Sequence, residues 1–165
     1  MISRGLFFAG LLLALVVPGA LIAQKEKLVR SGTPIILVLA PRDPRSLLQG
    51  DYMTLNYDIS GLGWSQGSAW PKDGKLVLKA DDKGVFRFLR LDDGTPLLPG
   101  EQRLRYRKRS ASVRIGAEAF YFEEGHAADY QTARYGELRV TGEGDAVLVG
   151  LRGEKLEPLG APRYQ

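Results

Sequence analysis

The sequence has no cysteine and one histidine, His126. Without thiols there is no disulfide, no thiolate nucleophile, no iron–sulfur cluster and no cysteine-based zinc site. A single imidazole removes most histidine-based metal centres and leaves His126 alone for acid–base work near neutral pH. Charge of one sign is also scarce: 23 Lys and Arg stand against 19 Asp and Glu, a net charge of +4. With no nucleic-acid-binding motif beside it, so small an excess gives no reason to expect nucleic acid as a partner. No internal repeat is visible. Charged residues at 25% and hydrophobic ones at 44% exclude both a disordered polymer and a polytopic membrane protein, and leave one folded domain.

One long hydrophobic run does occur. Gly5 to Ala23 carries no charge over 19 residues; at about 1.5 Å per residue this just spans a hydrocarbon core of about 30 Å. We read residues 1–23 as a retained anchor rather than a cleaved signal peptide broken at Pro18-Gly19. Cleavage after Ala23 would place Leu21 three residues upstream, where a small side chain is required. Residues 24–33 form a charged connector that prolongs the helix until Thr33-Pro34 stops it. The flanking charges conflict with export, since Lys25, Lys27 and Arg30 outnumber Arg4. A short N-terminal tail before a lone span nevertheless has the form of a signal-anchor, and export of the C-terminal domain is the expectation.

The domain, residues 34–165, reads as mainly β. Pro34 to Ala40 is a continuous apolar, β-branched run, as in a buried strand, and Pro41 ends it. After a turn at Gly50-Asp51, Tyr52 to Ile59 alternates, with Met53, Leu55, Tyr57 and Ile59 on one face. Ser60 to Gly74 is a long loop carrying Trp64 and Trp70. Lys75–Lys79 and Val85–Leu91 flank the turn Asp82-Lys83-Gly84 as a hairpin. Further strands are expected at Gln102–Lys108, Ser112–Ile115 and Ala119–Phe122, and a closing hairpin at Glu137–Thr141 and Ala146–Leu151. Glu123 to Tyr135 alone has helical spacing. The expectation is a small antiparallel barrel or sandwich with one short helix after a single transmembrane helix.

The string Gly50-Asp51-Tyr52-Met53-Thr54-Leu55-Asn56-Tyr57 resembles the signature of the GDYXXLXY protein family at every specified position, and Gly125-His126 to Glu137 is similar to it as well. That resemblance implies a membrane-anchored bacterial protein, with a multi-span membrane protein as a candidate partner and the domain on the periplasmic side of the inner membrane. A weaker likeness exists. Ser46 to Asp51 resembles the segment after the nucleophile in type I signal peptidases, with Lys108 as the matching base. The nucleophile position then falls on Arg42, and the proline is one residue out of place at Pro44. The alternative this implies is a degenerate Ser–Lys hydrolase.

Two groups of residues are candidates for binding. Asp51 and Tyr52 of the signature could receive a ligand, or could cap a turn and cover a strand edge. Arg103, Arg105, Arg107 and Arg109 recur with period two, which in a strand puts four guanidiniums on one face. That row suits lipid phosphates or an acidic partner surface, or else pairs with carboxylates such as Asp81, Asp82 or Glu118. His126 and Asp129 share a helical face, the place for acidic groups at a helix start more than for a metal. No cofactor and no metal is called for.

Overall fold

The computed structural model describes residues 4–40, 52–62, 70–110 and 112–160. Helix α1 (Arg4–Ser31) runs unbroken through Pro18. A lone proline inside an apolar helix forfeits one backbone hydrogen bond, and the helix continues on either side of it. Side chains 5–27 are exposed, and Leu28 is the first to be buried. Gly32 alone separates α1 from β1 (Thr33–Val38), so the expected connector is helix almost to its end. Strands β2 (Tyr52–Thr54), β3 (Asp73–Ala80), β4 (Val85–Leu91), β5 (Glu101–Arg109), β6 (Ser112–Arg114) and β7 (Ala119–Tyr121) follow. The last three are β8 (Tyr135–Val140), β9 (Ala146–Arg152) and β10 (Pro158–Leu159).

Eight strands form one sheet in the order β10-β9-β8-β1-β4-β3-β5-β6, and β2 pairs with β7 in a separate ribbon. The apolar run that begins at Pro34 is therefore central, between β8 and β4. Its pairing with β4 is parallel, through Ile36–Val85 and Leu37–Phe86, and the other described pairs are antiparallel. Inward side chains of the sheet, among them Ile35, Leu37, Leu76, Leu104 and Leu138, meet Met53, Leu55, Tyr57, Phe120 and Tyr130 in one core. The domain is sandwich-like, and the eight-stranded sheet does not close into a barrel. The β8–β9 turn reaches β5, where the Arg105 N–H donates to the Gly144 carbonyl at 2.8 Å and the Gln102 amide to Thr141 O at 2.9 Å. Gly144 has φ +93°, and a Cβ there would lie 2.8 Å from Arg105 N. Both its backbone angle and its position require glycine.

The signature strand differs from expectation in length but not in pattern. It leaves β structure after Thr54, returns for one bridge at Tyr57–Leu39, and enters a 3₁₀ turn at Asp58–Gly61. Met53, Leu55, Tyr57 and Ile59 are all buried, as the alternation requires. The helix expected over Glu123–Tyr135 is absent, and only a 3₁₀ turn at Ala127–Tyr130 forms. Two non-local hydrogen bonds prevail over local spacing: Leu39 N donates to Arg134 O, and Arg134 N donates to Arg152 O, both at 2.9 Å. Arg134 is thereby drawn into extended pairing. Trp64 and the turn at Gly50-Asp51 lie outside the described residues, whereas Trp70 stacks on Phe88 and Tyr106 at 5.4 and 5.7 Å.

Tyr57 is 1% exposed, and its hydroxyl donates to Ala117 O at 2.7 Å. The ring lies against Gly136, where a Cβ would come within 3.0 Å. Burial pushes its phenol far above the ordinary value and the Glu118 charge adds to this, so it stays a neutral donor. Tyr57→Phe should cost about 1–3 kcal/mol by orphaning a buried carbonyl. Tyr57→Ala should cost about 3–5 kcal/mol through the cavity. Urea unfolding of the full chain in detergent, followed by near-ultraviolet circular dichroism, measures both.

Candidate functional site: a divided arginine row

The four arginines of β5 do share one face. Gln102, Leu104 and Tyr106 point inward and are buried, while Arg105, Arg107 and Arg109 are exposed and Arg103 is half-buried. Their partners are not the expected ones. Asp81 instead caps the β3–β4 turn, accepting from Lys83 N and Val85 N at 3.0 and 2.9 Å; the Val85 N–H foremost holds its carboxyl below the usual range. Glu118 accepts from the Ile115 and Gly116 N–H groups.

Arg103 pairs with Asp92 at 2.8 Å and donates to Thr95 O at 2.9 Å, the Asp92 side chain being only 10% exposed. Burial pushes Asp92 up, but the Arg103 guanidinium and the Gly94 N–H outweigh it and hold the carboxyl low. Arg105 lies directly opposite Lys75 of β3, an unfavourable like-charge register. The β8–β9 turn resolves it. Glu143 takes Lys75 at 2.7 Å and Asp145 takes Arg105 at 3.3 Å, so the acidic turn docks where the positive pair needs it. Arg107 pairs with its cross-strand neighbour Asp73 at 2.7 Å.

Beyond this point the compensation stops. Arg107 faces Arg114 across the β5–β6 register, and Arg109 follows two residues on. Among the described residues no ion pair engages Arg109 or Arg114. Both line a depression of about 790 Å³ that also takes in Lys25 of α1, two residues past the apolar run. The row thus has a structural end at Arg103 and an unneutralised end next to the helix.

Of the other candidates, Tyr52 is on the outer face of the β2–β7 ribbon, stacked on Tyr121 at 5.7 Å. Tyr57 points the opposite way, into the core. Asp51, Arg42, Pro44 and Ser46 lie outside the described residues. His126 Nδ1 meets Asp129 Oδ2 at 2.9 Å in the open, and that contact raises the affinity of His126 for its proton. No third ligand-type side chain joins them among the described residues. The interior polar groups are spent on main chain: Tyr57 on Ala117, and Gln102 on Thr141 and Arg103 carbonyls.

A second depression, about 1170 Å³, separates the last turns of α1 from β8–β10. Leu21, Ile22 and Val29 line it on one side, and Val147, Val149 and Leu159 on the other. Period-two spacing had located the arginine face, but nothing local marked this groove, because it exists only where the helix lies against β8 and β9.

A family model described as GDYXXLXY protein matches residues 14–151, from the middle of the apolar run to β9. No curated protein and no solved structure matches the chain.

The division of the row has a measurable consequence. Arg103→Ala leaves a nearly buried carboxylate unpaired and should cost about 1–3 kcal/mol, whereas Arg109→Ala should change stability by less than about 0.5 kcal/mol. Because Asp92 is held below its ordinary value, the stability it lends is complete above the ordinary carboxylate range and falls away as pH drops through the folded value. Acid melts of the wild type should show this loss, and those of Arg103→Ala should show less of it.

Proposed function

We propose the following reading for this chain, which belongs to the GDYXXLXY protein family: a membrane-anchored, non-catalytic accessory protein of the bacterial envelope. Its domain lies on the periplasmic side of the inner membrane and contacts a multi-span membrane protein. The observation that carries the reading is the junction at Gly32. Ala23 to Ser31 rises only about 12 Å as helix, so the domain sits at the bilayer surface with no flexible tether to reach a distant target. The groove between α1 and β8–β10 supports the partner class. It continues the exposed apolar surface of the helix onto the domain, where the end of a neighbouring transmembrane segment would bury apolar area from both.

Affinity purification of the full chain in mild detergent should yield a stoichiometric membrane partner. Val149→Lys, at a half-buried groove position, should abolish its capture while leaving domain melting within about 0.5 kcal/mol. Capture unaffected by Val149→Lys would remove the groove from the reading, and repeated failure to capture any partner would remove the accessory role. For sidedness, alkaline phosphatase fused after Gln165 should be active. An inactive phosphatase beside a bright cytoplasm-dependent fluorescent fusion would reverse the topology in favour of Lys25, Lys27 and Arg30.

A further inference from the structure

We propose that the depression bounded by Lys25, Arg109 and Arg114 binds the phosphate headgroup of an anionic phospholipid from the bilayer in which the chain is anchored. Three observations converge on it. The first is charge: Lys75, Arg105 and Arg107 line the depression but are neutralised by Glu143, Asp145 and Asp73. The third carboxylate lining it, Glu118, accepts from backbone N–H groups and keeps its charge, but it pairs with no cation; Lys25, Arg109 and Arg114 have no ion-pair partner among the described residues, and the lining stays net positive.

The second is a tolerated cost. Arg107 and Arg114 stand in direct cross-strand register, and like charges so placed are destabilising. The same problem at Lys75 and Arg105 is solved by the acidic β8–β9 turn. At Arg114 it is left for an external anion to solve, and a phosphate bridging Arg109 and Arg114 would accept charge-assisted, bidentate hydrogen bonds.

The third is depth. Lys25 lines the depression and stands two residues beyond Ala23, the last residue of the apolar run. With Gly5–Ala23 filling the hydrocarbon, Lys25 lies at the level of the headgroups. The open end of the arginine row is therefore placed where lipid phosphates are concentrated, which favours a lipid over a soluble phosphate. The inference depends on α1 spanning the bilayer and not on any protein partner.

The test uses the full chain in nanodiscs of phosphatidylcholine with a minor fraction of phosphatidylglycerol, and reads the lipids retained after transfer to a neutral detergent by native mass spectrometry. The wild type should retain phosphatidylglycerol over phosphatidylcholine by about fivefold or more relative to the input. The double variant Arg109→Gln/Arg114→Gln should fall to the input ratio with unchanged melting, both side chains being exposed. Arg87→Gln, on β4 and paired with Asp81, should behave as wild type.

Equal enrichment in the double variant would overturn the site. Loss of enrichment in Arg87→Gln as well would reduce the effect to net charge and overturn it equally. In a further arm, inorganic phosphate is added to the detergent sample. Displacement of retained lipid at millimolar phosphate would assign the depression to a soluble phosphate and overturn the lipid source; retention supports it. Incorporation into nanodiscs is scored separately, so failure of the anchor is distinguished from failure of the site.

Discussion

A single residue joins the membrane helix to the middle of the sheet, and the arrangement of every surface in this protein depends on it. Gly32 N donates to Leu28 O at 2.8 Å, and a side chain at position 32 would collide with Leu28 and with Arg139 of β8. Ser31 ties the same turn down by donating its hydroxyl to Lys27 O at 2.7 Å. The helix therefore ends pressed against β8 and β9 rather than projecting from the domain. Because β1 is central, this contact fixes the helix against the sheet and leaves Lys25 on the rim of both large depressions. A flexible linker of the same length would have oriented nothing.

Charge follows from this placement. The half of the arginine row remote from the helix behaves as structure, with Arg103 locked to a carboxylate that water hardly reaches. The half near the helix is left positive. Between them the acidic turn does two tasks, quenching the Lys75–Arg105 repulsion with Glu143 and Asp145 and covering the main chain of β5 through Gly144. The β8–β9 turn thereby brings the two halves of the sheet into contact.

Features decided within a few residues were legible in the sequence. The β3–β4 turn at Gly84, the inward set Met53, Leu55, Tyr57 and Ile59, and the common face of the arginines all follow from period and turn chemistry. Features decided by remote pairing were not. Asp92, Asp73 and Asp145 are 11, 34 and 40 positions from the arginines they hold; β3–β5 register brings Asp73 in, the end of β4 brings Asp92, and the docked β8–β9 turn brings Asp145. The segment from Glu123 to Tyr135 failed as a helix for the same reason, since Leu39, just past β1, and Arg152 of β9 claim the backbone of Arg134. The seat of Lys25 beside β5 and β6 had no local sign at all.

The position of β1 also sets an order of events in time. It precedes the other described strands in the chain, yet its full-length neighbour is β8, with Thr33 against Val140 and Val38 against Tyr135, and β4 contributes only two further register pairs. At typical synthesis rates the intervening hundred residues take roughly 5–20 s to appear. Until β8 appears, the neighbour available to this β-branched, uncharged strand is β4, at two register positions, and its other edge stays open. Pairing along the whole of β1 therefore waits for one of the last described strands of the domain.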